Sequence, residues 1–262
     1  MEQKKRPKPT DVGLRDVVAD GWWNMAAGEL ARGVKIRSTD TVIDVGCGDG
    51  GHSYFCARQG AEVLFIDMDA AKLAAAEEKI KASPAHAYTA ILSDCNPIPL
   101  PDATGDVIIC TEVLEHVPDP RQFLQELVRV AKPGARLVVT VPDARSEKLV
   151  GATAPKGYFK EPNHIRIFAE GELRDHLLAA GLAIQSEQSL GSYWSMYMAL
   201  SWLTSGTEEI LPIDNSHPIP DHWTRLWREL QNHPNGRLVM DRFNELLPRT
   251  HSIVALKPAG PR

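Results

Sequence analysis

No stretch of this 262-residue chain approaches the ~18 consecutive apolar residues that a membrane-crossing helix requires. The basic start, MEQKKRPKPT, has no apolar segment behind it, so it reads as a solvated tail and not as a signal peptide. Basic charge is scarce as well. Twenty-nine Lys and Arg against 34 Asp and Glu give a formal net charge of −5, without the basic stripe expected of a nucleic-acid-binding protein. Cysteine is limited to Cys47, Cys56, Cys95 and Cys110, whose spacing fits neither a zinc or redox CxxC pair nor a disulfide framework. Buried thiols in a reducing compartment are the expectation, which places the chain in the cytoplasm.

What is present is an alternation of strand-length apolar runs with helical stretches. Residues 40–46, 61–67, 86–93, 105–111 and 135–141 read as strands buried on both faces. The alanine-rich segment 69–83 reads as a helix. In 119–134, Asp119 supplies an N-cap, Pro120 the first helical position, and Phe123, Leu124, Leu127 and Val128 an apolar stripe, with Lys132-Pro133-Gly134 as the stop. Such alternation predicts an α/β fold with a mostly parallel, doubly wound sheet. Its ligands bind beyond the carboxyl ends of the strands. Residues 142–168 read as a long loop over that edge, 169–181 as a helix, and 182–190 and 251–259 as the last two strands. Between those strands lies a helical insertion, 191–250. The expected layout is a flexible basic tail (1–13), a core (14–190), the insertion, and a final strand and tail (251–262).

The run VIDVGCGDGGHSYF carries the first chemistry. Gly46 to Gly51 satisfies G-x-G-x-x-G, and Asp67 ends the next strand about twenty residues on, the spacing of a dinucleotide site. A pyrophosphate, however, wants a loop of amides only. Asp44 and Asp49 would repel it by about 4 kcal/mol per charge pair at 4 Å for an effective dielectric of ~20. A cationic ligand without phosphate reverses that sign. S-adenosylmethionine, with its sulfonium and amine, is such a ligand.

The segments VIDVGCGDG, VLFIDMD, LSDCNPIPLPDATGDVIICTEVLEHVPDP and LVRVAKPGARLVVTVP resemble the successive motifs of class I S-adenosylmethionine-dependent methyltransferases. The likeness runs from about residue 38 to 190. Within that superfamily the chain is most similar to the bacterial ubiquinone-biosynthesis O-methyltransferases, which share the EVLEHVPDP turn and an H-x-x-x-F such as HIRIF. The resemblance implies a Rossmann-like, seven-stranded sheet. It also implies that Asp44 orients the loop or meets the methionine amine, and that Gly46, Cys47 and Gly48 line the methionyl tail. Asp67 would accept the ribose hydroxyls and Met68 would pack on adenine. Asp94 and Cys95 would meet the adenine edge, and Thr111 would close the site.

For the chemistry, Glu112, Glu115 and His116 follow the fourth strand at i, i+3 and i+4, one side of a helical turn. Two carboxylates and an imidazole suit a hard divalent ion, and the resembling quinone enzymes associate this set with magnesium. The same turn also occurs in metal-free members, where it caps the helix or bonds loop amides. His116, Glu112 and His164 are the candidate acid–base groups, and Tyr158 and Phe159 could wall the acceptor pocket. In the insertion, SYWSMYMALSWL leaves little polar face, so it is core, a subunit interface, or a lid for an apolar acceptor. No Lys or Arg occurs from Gly191 to Thr224, while Glu208, Glu209, Asp214 and Asp221 are acidic, which argues against docking on anionic lipid. The expected partner is a small molecule, and the surface leaves room for a homodimer. The acceptor class stays open: O-methylation leads, with C- or N-methylation of natural-product or lipid-like acceptors beside it. An NAD-dependent oxidoreductase and a non-catalytic cofactor-binding protein are the rivals.

Overall fold

The computed structural model describes residues 6–85, 87–205 and 215–259. In chain order these form α1 (Pro9–Ala19), β1 (Glu29–Ala31), β2 (Val34–Lys35), β3 (Thr41–Val45), α2 (Gly51–Arg58), β4 (Glu62–Asp67), α3 (Ala70–Lys81) and β5 (Tyr88–Leu92). There follow β6 (Gly105–Thr111), α4 (Pro120–Val130), β7 (Ala131–Pro142), α5 (Ala144–Val150), α6 (Glu172–Ala179) and β8 (Ala183–Leu190). Helices α7 (Ser192–Ser205), α8 (Pro218–Asn232) and α9 (Gly236–Leu246) precede β9 (Thr250–Leu256).

Seven strands make one sheet in the order β5-β4-β3-β6-β7-β9-β8. The pairings β5–β4, β4–β3, β3–β6 and β6–β7 are parallel. Strand β9 runs against β7, because Gly134 N–H meets the Lys257 carbonyl at one end and Asp143 N–H meets the Arg249 carbonyl at the other. The α/β architecture is therefore the expected one: a doubly wound, mostly parallel seven-stranded sheet, with helices α7 to α9 inserted between its last two strands.

The chain divides into two compact units. One holds Gly21–Val141, Glu170–Gln188 and the stretch from Ser252, and so contains the glycine loop. Its core is the sheet, where Val42, Ile43, Phe65, Ile108 and Val138 are fully buried. The other holds the stretch up to Asp20, Pro142–Ala169 and Ser189–His251. It is built on two aromatic clusters, Tyr193, Tyr197 and Trp227 with Val12 and Met240, and Tyr158 and Trp202 with Val150 and Met198. No helix of the described residues is long and apolar enough to cross a membrane. All four cysteines are buried and free.

Several local expectations need correction. Strand β5 is only half-buried, with Leu92 61% exposed. It is an edge strand with one neighbour, and so lacks the burial of β3, β4 and β6. His86, expected to open it, lies outside the described residues. Helix α4 has its expected N-cap, Asp119 accepting from the Arg121 and Gln122 amides, but it ends at Val130. Pro133 disfavours a helical residue before it, and Ala131 already pairs with Gly105 in the sheet. Lys257 Nζ donates to the Val128 and Ala131 carbonyls at 2.8 Å and so satisfies the helix end. The expected loop 142–168 contains α5, whose N-cap Asp143 accepts from the Arg145 amide. The helix of 169–181 is shorter, Glu172–Ala179. The hairpin β1–β2 was not expected. The expected tail of 1–13 already contains the start of α1, with Pro9 and Val12 buried; residues 1–5 are not described. Residues 142–169, expected within a continuous core of 14–190, group with the inserted helices. Within the insertion, 206–214 are outside the described residues.

Candidate cofactor and catalytic site

Strand β3 delivers Asp44 and the glycine loop to the carboxyl edge. The Gly46 and Cys47 amides both donate to the Ile66 carbonyl, at 2.8 and 2.9 Å, which ties the loop to the end of β4. Gly46 has φ +72°, and a Cβ there would lie 2.4 Å from a Val113 methyl. A side chain is excluded by both backbone and neighbour. Gly48, at φ +54°, has nothing within 4 Å of the missing Cβ. The loop is therefore open at Gly48, and a ligand can approach its backbone closely there.

Asp67 lies beside this opening. One carboxylate oxygen accepts from the Gly48 amide and the other from the Asp69 amide, each at 2.8 Å. Each oxygen keeps a lone pair, the pair of acceptors that adjacent ribose hydroxyls need. Ser93 N–H bonds the Asp67 carbonyl at 3.1 Å, and this brings the end of β5 to the same edge. Asp94 accepts from the Asn96 amide, and Cys95 is held left-handed at φ +60° and buried. Burial and the nearby Asp94 and Asp67 charges push the Cys95 thiol up to about 12, so it stays a neutral group. Cys47 is shifted in the same direction by its burial and by Asp44 and Asp67. Met68 follows Asp67 and is 72% exposed, an apolar surface free for an adenine ring to cover.

Asp44 is 1% exposed and accepts from the Ser53 hydroxyl at 2.5 Å, while its Oδ1 has no hydrogen-bond partner among the described residues. Burial pushes its carboxyl up to about 6. An unsatisfied buried acceptor beside the loop is what a ligand ammonium would complete. Asp49 behaves differently from expectation. Its exposed carboxylate pairs with Lys79 Nζ at 2.8 Å, so the negative charge of the loop rests on Asp44 and Asp67.

Other groups near this loop were not anticipated. His52, second residue of α2, accepts the Trp23 indole N–H on Nδ1 at 3.0 Å, with the Trp22 and Trp23 rings 5.6 and 5.2 Å away. Burial pushes this imidazole down to about 4. No local motif marks His52, because its partner Trp23 lies 29 residues earlier.

At the end of β6, Thr111 pairs in register with Thr140. Glu112, Glu115 and His116 do not share a helical face. Glu112 is left-handed, at φ +54°, its amide bonding the Thr140 carbonyl at 3.1 Å and its carboxylate accepting the Thr140 hydroxyl at 2.9 Å. The spacing argument fails because α4 starts only at Pro120 and the intervening residues form a turn. Glu115 and His116 do approach each other, Oε1 to Nε2 at 3.7 Å, with Glu115 buried and His116 exposed.

His164 belongs to the other compact unit. Its Nδ1 is 2.7 Å from Glu147, a residue that the sequence did not single out. Tyr158 is buried with its ring 4.4 Å from the imidazole, while Phe159 is 37% exposed.

Residues 43–139 match the model of a family described as "Methyltransferase domain". A ubiquinone biosynthesis O-methyltransferase of Aeromonas salmonicida is 29% identical over 204 residues, 67% of this chain and 82% of that protein. Its counterpart in Pseudomonas fluorescens is 38% identical over 97 residues, so there the match spans 37% of this chain and 41% of the relative. Among solved structures, a SAM-dependent methyltransferase from Aquifex aeolicus is 25% identical with a TM-score of 0.51, covering 71% of this chain and 94% of that one. An open glycine loop tied to a strand-ending aspartate, a seven-stranded sheet of this order and these likenesses agree. Together they support a class I S-adenosylmethionine-dependent methyltransferase.

Proposed function

We propose that this chain methylates an oxygen of a small, apolar or aromatic acceptor in the cytoplasm. The observation that carries the cofactor half is the loop opened at Gly48 between Asp44 and Asp67. S-adenosylmethionine, when bound, supplies an electrophilic methyl group on a sulfonium leaving group. Asp44 would meet its amine, Gly46, Cys47 and Gly48 its methionyl tail, and Asp67 its ribose. Met68, Asp94 and Cys95 would contact its adenine, and Thr111 would close the pocket. The chain's own task is to align the acceptor and relieve its hydroxyl of a proton. His116 and His164 are the groups suited to that proton transfer. Oxygen is favoured over carbon or nitrogen by the likeness to O-methyltransferases.

Calorimetry with S-adenosylmethionine and NAD in turn tests the cofactor. The former is expected to bind with a Kd on the order of micromolar (about −8 kcal/mol) and NAD negligibly. In Asp67→Ala, the loss of acceptors for two hydrogen bonds to a charged group, each worth about 1.5–3 kcal/mol, should weaken binding at least tenfold. Unchanged affinity removes Asp67 from the site. Mass spectrometry of small molecules carried through purification identifies the acceptor.

A second reading adds magnesium at Glu112, Glu115 and His116. The 3.7 Å approach of Glu115 to His116 favours it, and the engagement of Glu112 with Thr140 counts against it. Excess chelator should then abolish turnover and added magnesium restore it. Full activity in chelator ends that reading.

A further inference from the structure

We propose that Arg129, with Glu126, is a positioning residue for the adenine edge of the cofactor site. The pair holds the segment that follows Asp94 and Cys95 against α4, and so sets the base selectivity of the pocket. This rests on the S-adenosylmethionine reading above, in which Asp94 and Cys95 contact adenine.

All the residues concerned lie in the compact unit that contains the glycine loop. The crossover from β5 to β6, residues 93–104, contains no helix, unlike those that carry α2, α3 and α4. Its backbone polar groups therefore lack the partners that a helix would give them. Side chains of α4 supply them instead. Arg129 Nε and Nη2 donate to the two Glu126 carboxylate oxygens at 2.9 and 2.8 Å. Nη2 also donates to the Ile98 carbonyl at 2.8 Å, and Nη1 to the Leu100 carbonyl at 2.9 Å and the Asp102 carboxylate at 2.8 Å. Every N–H of the guanidinium is thus engaged. Glu126 in turn accepts the Ile98 N–H at 3.0 Å, and the Arg129 bond holds its carboxyl below the usual glutamate range.

What lies just ahead of this clamp is the proposed adenine edge. Ser93 N–H bonds the Asp67 carbonyl at 3.1 Å, so Asp94 to Pro97 form an arch anchored at Ser93 and at Ile98. Within it Cys95 is left-handed at φ +60°, a conformation that a non-glycine residue keeps only where its surroundings dictate it. The Cys95 amide donates to the Ser93 hydroxyl at 3.0 Å, and the Asn96 amide to Asp94 Oδ1 at 3.1 Å. Gln122, one turn before Glu126 on the same face of α4, reaches the Asn96 side chain at 3.3 Å. A carboxylate only accepts hydrogen bonds, so the other oxygen of Asp94 suits the 6-amino group of adenine and opposes a 6-oxo group. Releasing the Ile98 end of the arch lets Cys95 relax, and Asp94 loses its place.

Closing the crossover alone would need less. Water satisfies exposed carbonyls, and a lysine ammonium reaches one of them as a point charge. A planar guanidinium locked onto a carboxylate also fixes the Ile98 and Leu100 carbonyls relative to each other.

The test uses the full chain and two ligands that differ only in the base, S-adenosylhomocysteine (6-amino) and S-inosylhomocysteine (6-oxo). Calorimetry should show the wild type preferring the amino form by about tenfold or more, the range for one hydrogen bond to a charged group. Arg129→Lys keeps the charge and loses the fork. Its loss should fall on the amino ligand, bringing the ratio of affinities towards one. Glu126→Gln should do the same, and it carries the test if Arg129→Lys does not fold, as denaturant midpoints will show. The ribose and homocysteine parts are common to both ligands, so a general loosening of the fold lowers both affinities together and leaves their ratio. A folded variant that keeps the wild-type ratio makes the clamp purely structural and overturns the proposal. A wild type that binds both ligands without preference also overturns it, while the cofactor reading stands. Binding of neither ligand ends the S-adenosylmethionine reading, and the proposal with it.

Discussion

The Ser53 hydroxyl donates to Asp44 Oδ2 at 2.5 Å and leaves Oδ1 facing no protein donor among the described residues. One oxygen locks the first turn of α2 onto β3, and the other is the one that the proposed amine contact would use. Of the two roles expected of Asp44, orienting the loop suits the oxygen bound by Ser53, and the proposed contact with an amine would fall to the other.

A pH dependence follows from that division. Burial raises the Asp44 carboxyl to about 6, so below that pH it is protonated and offers an ammonium no ion pair. Affinity for S-adenosylmethionine should therefore rise with pH through about 6, with proton release on binding in that range. Calorimetry in buffers of differing ionisation enthalpy measures both. Asp44→Asn should bind more weakly and lose the pH dependence; a variant that keeps the wild-type profile removes Asp44 from amine recognition.

The parts of this site legible in the sequence were those encoded by local order. A strand, a glycine turn and a strand-ending Asp67 can be read because each occupies a few consecutive residues. The pairing of Glu147 with Arg249 could not be read, since it joins residues 102 apart and neither stands in a recognisable motif. Glu112 failed for a different reason. Periodicity assumes a continuing helix, whereas here the backbone turns left-handed and Thr140, from the neighbouring strand, captures the side chain. The edge position of β5 was likewise invisible, because an apolar run shows strand propensity without its place in the sheet order.

A second prediction concerns the helical unit, where a buried acid joins α1 to α8. Asp16 is 1% exposed and accepts the Trp227 indole N–H at 3.0 Å. Its burial, and then the charge of Asp20, push it up to about 7, against the opposing Trp227 bond, Arg237 charge and Tyr193 backbone. A carboxyl raised in the folded state contributes stability that is complete below its unfolded pKa and lost as pH rises through the folded one. For Asp16 that window runs from about 4 to about 7. Asp16→Asn, which keeps the acceptor for Trp227, should match the wild type near pH 4 and exceed it at pH 8. The gap is at most on the order of 4 kcal/mol, three pKa units at about 1.4 kcal/mol each. Urea denaturation of both proteins across that range measures it, and parallel curves would show that Asp16 does not titrate there.

The last prediction separates core from lid in α7. Trp202 is 5% exposed and packs with Val150, Met198 and Ala199, its ring edge-on to Tyr158 at 4.9 Å. Trp194 lies against the other cluster, with Tyr193 at 5.1 Å and Tyr197 at 5.5 Å. Both tryptophans therefore have packing partners within their own unit, which favours core over a mobile cover. Trp202→Ala should cost about 3–5 kcal/mol of folding stability, the range for emptying a large aromatic site. The glycine loop lies in the other unit, so cofactor affinity in the folded fraction should stay unchanged. Denaturant midpoint, cofactor calorimetry and acceptor saturation, measured on the same preparation, distinguish the outcomes. A loss of stability with ordinary acceptor kinetics assigns the segment to the core. A variant that keeps its midpoint and its cofactor yet fails to saturate with acceptor would reverse that assignment, because only a residue touching the acceptor could lower its binding without loosening the fold.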